Sequence, residues 1–159
     1  MQIICQNALK ARDRNDAIIQ LNQRLLAKGY VKETHLAEVL KREESFPTGL
    51  RLEGGVNVAL PHCDAEHTNE MALAIGILDQ EVGFRQMGSA PESSDIVPVK
   101  VVFLLACNDK KLLLPYLQKF TRMFRQKDLI KRISESQGCT EVEEAVSGFL
   151  EKGNVVDSA

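Results

Sequence analysis

Val99-Lys100-Val101-Val102-Phe103-Leu104-Leu105-Ala106 and its counterpart Met71-Ala72-Leu73-Ala74-Ile75-Gly76-Ile77-Leu78 are the stretches on which the fold turns. Both are near-continuous apolar runs of strand length, the pattern of strands covered on both faces. Periodicity alone leaves a buried helix open for such runs, so their surroundings have to decide. Upstream, Ile18, Leu21, Leu25 and Leu26 share one helical face, which predicts a helix over 15–28 with Asp13 or Asn15 at its start and Gly29 at its end. A second helix is predicted with Thr34 as its cap and Leu36, Val39 and Leu40 at helical spacing; Phe46-Pro47 stops it. Downstream, residues 111–125 carry Leu114, Leu117, Phe120, Met123 and Phe124 on a helical stripe, and 129–133 continues after a break. Thr140-x-x-Glu143 reads as a capping box leading into Val142, Val146, Phe149 and Leu150. Helices alternating with buried strands predict a layered α/β domain.

Between these elements the signals are shorter. Gly54-Gly55 is a turn before the apolar run 56–60. Residues 83–88 read as a strand end and turn, 90–94 as an exposed loop, and 154–159 as a loose tail.

The 159 residues fit one domain, large enough to bury a core without staples. With 44% hydrophobic and 26% charged residues the composition is that of a globular chain and not of a disordered one. A formal net charge of −2 offers no general attraction to nucleic acid or acidic membranes, so any anion site must be local. No segment has the apolar length to cross a bilayer, and the start, Met1 to Asn7, lacks the pattern of a secretory signal. The four cysteines, Cys5, Cys63, Cys107 and Cys139, are far apart and form no Cys-x-x-Cys pair, which predicts free thiols in a reducing cytoplasm.

Function concentrates in one segment. Arg42-Glu43-Glu44-Ser45-Phe46-Pro47-Thr48-Gly49-Leu50 is followed by Leu60-Pro61-His62-Cys63-Asp64-Ala65-Glu66-His67, which holds two of the chain's three histidines. A neutral imidazole can attack phosphorus through one ring nitrogen when an acceptor holds the proton of the other. Stabilising the transferring group is mostly a matter of positioning and charge. Arg42 is placed to supply a guanidinium, Ser45 and Thr48 to supply hydroxyls, and Gly49, Gly54 and Gly55 to let backbone N–H groups approach. His35 reads as a surface residue early in its helix, and Cys107 as a small buried hydrophobe at a strand end.

A metal reading has to be weighed against this. His62, Cys63, Asp64, Glu66 and His67 are five potential ligands in six residues, yet they follow neither a zinc-finger spacing nor His-Glu-x-x-His. Strand-like alternation would also point His62 and Cys63 in opposite directions. Cys63 has no orienting group for nucleophilic catalysis, and no P-loop or dinucleotide fingerprint exists.

Arg42-Glu43, Thr48-Gly49, Val58-Ala59-Leu60-Pro61-His62 and Val82-Gly83-Phe84-Arg85-Gln86-Met87-Gly88 together resemble the EIIA domain of the bacterial sugar phosphotransferase system, of the fructose/mannitol type. The resemblance covers nearly the whole chain and implies a single EIIA type-2-like domain over 1–159, a mixed β-sheet sandwiched by helices. It implies that His62 is phosphorylated by the phosphocarrier protein HPr and passes the group to a cysteine of an EIIB partner, with a membrane EIIC engaged only indirectly. It implies a cytoplasmic phosphotransferase component with a phosphohistidine intermediate, without cofactor, metal or nucleic acid. Arg42 would lie near the phosphoryl group and Thr48 would assist. The fructose and mannitol branches carry a second active-site histidine near the start of the helix after the 101–106 strand; here Leu113 stands about where it would be. Phe-Pro-Thr-Gly-Leu and Pro-His-Cys-Asp-Ala-Glu-His resemble the galactitol branch instead, with His67 or a backbone group expected to replace the missing histidine. Phe46, Pro47, Leu50 and Met87 are expected either to form an apolar docking rim or to be ordinary core. A free-standing regulatory module switched by histidine phosphorylation and a metal-binding hydrolase using His62 and His67 stay open as other classes.

Overall fold

The computed structural model describes residues 1–152, with the last helix assigned to Ser158; the tail expected to be loose, 154–159, lies outside the described residues. The chain runs β1 (Gln2–Leu9), α1 (Arg14–Ala27), α2 (His35–Ser45), β2 (Gly49–Leu50), β3 (Val58–Ala59), a 3-10 turn (Ala65–His67), β4 (Ala72–Arg85), β5 (Ile96–Ala106), α3 (Lys110–Phe124), α4 (Lys127–Glu135) and α5 (Cys139–Ser158). One five-stranded sheet forms in the order β1-β4-β5-β3-β2. It is mixed: β1 and β4 are parallel, as are β3 and β5, while β4 pairs antiparallel with β5 and β2 with β3.

The two apolar runs are the centre of this sheet, and they are strands. Ala72, Ala74 and Leu78 of β4 face α1 and α2; Leu73, Ile75 and Ile77 face α3, α4 and α5. Period-two alternation thus divides one continuous apolar run between two cores. On the α3 side Phe103, Phe120 and Phe124 pack as a tilted trio with centroids 5.3–6.1 Å apart. On the α1 side Gly76 has no side chain because a Cβ there would lie 2.8 Å from Leu9 and 3.0 Å from Leu21. The layered α/β architecture is therefore as the sequence predicts.

Several local expectations are corrected. β1 had no sequence signal, since Gln2, Gln6 and Asn7 interrupt its short apolar stretch, yet it pairs along β4 at the sheet edge. β4 does not end at Leu78 but continues to Arg85, with an irregularity in its pairing between Ile77 and Val82. Asp13, not Asn15, caps α1, its carboxylate accepting from the Asp16 N–H at 2.8 Å. Thr34 precedes α2 without a side-chain capping bond; its hydroxyl is hydrogen-bonded to His67 Nδ1 at 2.8 Å instead. α5 is assigned from Cys139, which puts Thr140 in the first turn and not at the cap. The expectation of four free thiols holds only for Cys63 and Cys107, because Cys5 and Cys139 form a disulfide. The two lie 134 residues apart and meet only because α5 covers β1, a proximity that spacing cannot reveal.

The phase of α2 is the correction with the widest reach. Its buried residues are His35, Val39 and Glu43, one every four residues along a single face. Of the predicted stripe Leu36, Val39 and Leu40, Val39 is fully buried while Leu36 and Leu40 pack only partly against the core. His35, expected at the surface, is 0% exposed, and its Nδ1–H donates to Asn22 Oδ1 at 2.6 Å. Burial first, and the nearby His67 second, push its pKa down to about 4. An unfolded chain takes up this proton near the ordinary 6.5 while the folded one resists to about 4, so His35 drains stability as pH falls through that window. Glu43 acts in the opposite sense, its carboxyl being pushed up to about 7, so the His35 contribution is read by difference. Urea unfolding of His35→Gln against wild type should show a shallower loss of stability between pH 6.5 and 4 in the variant.

Candidate functional site

The site is built where α2 ends and β3 gives way to the Pro-His segment. β3 pairs with β5 through Val58 and Ala59, and the Leu105 N–H donates to the Pro61 carbonyl at 3.1 Å. This carries the chain one step past the strand along the edge of β5 before it turns away. Proline at 61 has no N–H to satisfy and a fixed φ, so the path into His62 is stiff.

His62 is 8% exposed. Its Nδ1 lies 2.8 Å from the Leu60 carbonyl, which can only accept, so Nδ1 carries the proton and Nε2 the free lone pair. Nε2 is buried and has no hydrogen-bond partner among the described residues. Burial is the main influence on the ring and lowers its pKa; the Leu60 bond opposes this, the Arg42 charge adds to it, and Asp64 opposes it. The net result is an imidazole held below the ordinary 6.5 and neutral at pH 7, with one nitrogen pinned and the other vacant.

Beside it lies an open cavity of about 240 Å³ lined by Glu38, Lys41, Arg42, Ser45 and Phe46 from the end of α2 and by Cys63 and Asp64, the two residues after His62. Arg42 sits with its guanidinium carbon 5.3 Å from the Phe46 ring centroid, and its Nε is buried without a partner. The structure therefore brings Arg42 and Ser45 to the His62 side, as their sequence placement predicts. Lys41 adds a second cation that sequence reading missed; it lay hidden in an ordinary helical Lys-Arg pair. Phe46 is exposed at the cavity mouth and Met87 is also exposed, whereas Leu50 is half-buried and packs against the α3-side core.

Thr48 is turned to Glu43 and to the backbone before His62, and it is not among the residues lining the cavity. It is 3% exposed; its Oγ1–H donates to Glu43 Oε1 at 2.8 Å and its N–H to Glu43 Oε2 at 2.8 Å. The same hydroxyl oxygen accepts from the Leu60 N–H at 3.2 Å. Gly49 likewise serves packing: a Cβ there would lie 2.7 Å from the Arg85 carbonyl where β2 runs past the end of β4. Gly54 lies against Lys127 of α4, and Gly55 takes a positive φ of 87° in the turn before β3.

His67 is not brought to His62. Its Nδ1 is bonded to Thr34 Oγ1 and its Nε2 lies 3.5 Å from Glu66 Oε1. Leu113 packs against the α3-side core. Cys63 is buried beside Asp64, and burial, reinforced by that carboxylate, pushes its thiol up to about 12, which leaves no thiolate for nucleophilic chemistry at neutral pH. Among the described residues no three His, Cys, Asp or Glu side chains converge as a metal site. No described helix is long and apolar enough to cross a membrane.

The family follows from comparison with known proteins. Residues 2–148 match the model of the phosphoenolpyruvate-dependent sugar phosphotransferase system EIIA 2 family, and the chain belongs to that family. The galactitol-specific EIIA component of Escherichia coli K12 is 32% identical over 101 residues, 64% of this chain and 65% of the relative. The matching stretch thus spans just under two thirds of that relative's length. The same identity and coverage hold for the galactitol-specific EIIA component of Escherichia coli O157:H7. Among solved structures, mannitol IIA from Escherichia coli superposes with a TM-score of 0.63 at 21% identity, covering 91% of this chain and 94% of that one. The mannitol-specific cryptic enzyme IIA CmtB from Escherichia coli gives 0.66 at 18% identity, covering 94% and 92%. The IIA of Escherichia coli solved in complex with phosphorylated mannitol IIB gives 0.64 at 20%, covering 92% and 94%. These structures confirm the fold.

The Arg42 charge should be readable at His62. Replacing it by an uncharged residue removes a repulsion against the protonated ring, so Arg42→Gln should raise the His62 midpoint toward 6.5 in an NMR titration.

Proposed function

We propose that the chain is a phosphocarrier whose His62 accepts a phosphoryl group from phospho-HPr and passes it to a cysteine of an EIIB protein. The observation that carries this reading is the vacant Nε2 of His62, buried while Nδ1–H is held by Leu60, with the two residues that follow it lining a cavity that also holds Arg42 and Lys41. The Nε2 lone pair attacks phosphorus as the donor's N–P bond breaks, and the donor imidazole takes the electron pair of that bond. In the second step an EIIB thiolate attacks, an S–P bond forms, and the electron pair of the Nε2–P bond returns to His62. Arg42 and Lys41 line the cavity where the transferring oxygens would lie, and the field of a guanidinium counts for most where water is partly excluded.

Thr48 supports the ring through the Leu60 backbone, and His67 supports the segment through its tie to Thr34. Phe46 and Met87 form an exposed apolar rim on which HPr and EIIB dock in turn. The work is cytoplasmic, with a membrane EIIC reached only through EIIB. Likeness to the galactitol-specific components supports galactitol as the transported polyol.

Intact mass after incubation with phosphoenolpyruvate, enzyme I and HPr tests the core of this reading. Wild type should gain a single acid-labile phosphoryl adduct and His62→Ala none. An unmodified wild type beside phosphorylated HPr would overturn it. Restoration of galactitol uptake with a matching EIIB and EIIC would then separate transport from a regulatory role.

A further inference from the structure

Glu43 is the buried group that the chemistry above leaves unused. It is 1% exposed, in the last turn of α2, and both carboxylate oxygens are turned inward, away from the cavity that the adjacent Arg42 lines. A carboxylate is costly to bury and is retained where it has fixed partners. Its partners are the two donors of Thr48, and those lead by hydrogen bonds to the nucleophile. We propose that Glu43 is a positioning residue for His62, acting through Thr48 and the Leu60 peptide groups to hold the ring in the tautomer that leaves Nε2 free. The proposal rests on the reading of His62 as the phosphoryl acceptor.

The argument follows the protons. A threonine hydroxyl has one proton to give and two lone pairs. In its ionised form the Glu43 carboxylate can only accept, so Oε1 takes that proton and turns a lone pair of the hydroxyl toward the Leu60 N–H. Leu60 is then held at both polar groups, its N–H by Thr48 and its C=O by His62 Nδ1–H. Pro61 follows with a fixed φ and a carbonyl anchored on β5. The Leu60 N–H can only donate and its C=O can only accept, so what Glu43 and Thr48 fix is where the Leu60 backbone lies, and the carbonyl held there keeps the imidazole proton on Nδ1.

The far end is equally fixed. Arg85 of β4 is buried and donates to the carbonyls of Glu43, at 3.4 Å, and Glu44, which clamps the end of α2. Burial pushes the Glu43 carboxyl up to about 7, while the two Thr48 hydrogen bonds, and after them the charges of Arg14 and Arg85, favour the ionised form. Arg42 and Glu43 are consecutive, so the cation of the cavity and the orientation of the nucleophile are set from one clamped helical turn.

Glutamine at position 43 keeps the shape and loses the logic. If its oxygen accepts the Thr48 N–H, its NH₂ faces the hydroxyl, which then has two incoming donors and no acceptor for its own proton. Valine at position 48 removes the link outright, whereas serine retains it.

The test compares wild type, Glu43→Gln, Thr48→Val and Thr48→Ser by ¹⁵N NMR of the His62 ring in the unphosphorylated protein, and by the rate of phosphoryl uptake from phospho-HPr. Wild type and Thr48→Ser should show a single Nδ1–H tautomer. Glu43→Gln and Thr48→Val should show mixed tautomers and uptake slowed by about ten-fold at unchanged KM for the donor, the scale on which partners that orient a histidine act. Circular dichroism establishes which variants are folded, and either folded variant suffices. A wild-type tautomer in a folded Glu43→Gln or Thr48→Val, whether or not uptake slows, would overturn the proposal by reducing the network to loop closure. If wild type took no phosphoryl group, the proposed function would fall while the tautomer comparison still decided what Glu43 does.

Discussion

Burial of the β4–β5 ladder on both faces is the constraint on which the rest depends. Leu73, Ile75 and Phe103 on one side, and Ala74, Leu78 and Leu104 on the other, are all shut away from water. Burying such a side chain contributes about 1.5–3 kcal/mol for each Leu, Ile or Phe. Neither face can be satisfied by one layer of helices, so the chain must supply two. β1 extends the ladder on one flank and β3 on the other, and the connection from β1 to β4 passes through α1, α2, β2 and β3. The segment that carries His62 is part of that crossover. The site lies where it does because α2 and β3 must converge on the same edge of β5.

Within this apolar frame the polar groups are few and consequential. Asn22 and His35 join α1 to α2; Glu43 and Thr48 join the end of α2 to the segment after β3; Arg85 joins β4 to the same helix end. Buried polar contacts of this kind have one good geometry and many poor ones, so they specify an arrangement that apolar packing alone would leave loose. Among the described residues, Nε2 of His35, Nε of Arg42 and Nε2 of His62 are buried without a partner, and the last two belong to the site. Native interiors leave few such atoms, and two beside one cavity are most simply explained by a ligand that arrives later.

The architecture was legible because the two apolar runs are long enough to report their own burial. His62 could be singled out as a candidate because an imidazole after Leu-Pro is a local pattern. What was lost is what depends on contacts distant in sequence. β1 looks polar because an edge strand has one open side. β2 and β3, two residues each, have no period to detect. The α2 pattern points to Leu36, Val39 and Leu40, and only packing against neighbouring elements selects the face bearing His35, Val39 and Glu43. Nothing in the sequence distinguishes Glu43 from its neighbour Glu44, yet Glu44 is the exposed one, paired to Arg14. Thr48 could be named from the sequence but its direction could not, since a hydroxyl's donor points wherever the nearest acceptor lies.

The size of β2 and β3 has a dynamic consequence. Two-residue strands at the margin of a sheet have few bonds to break, whereas β4 and β5 are paired over ten positions. Opening free energies within a protein range from near zero at such margins to the full unfolding value in the centre. The backbone amides around the Pro-His segment should therefore exchange with deuterium through small local openings while those of β4 and β5 wait for global unfolding. A histidine whose free Nε2 is shielded at rest can then be uncovered by a motion confined to its own rim, leaving the core beneath it closed.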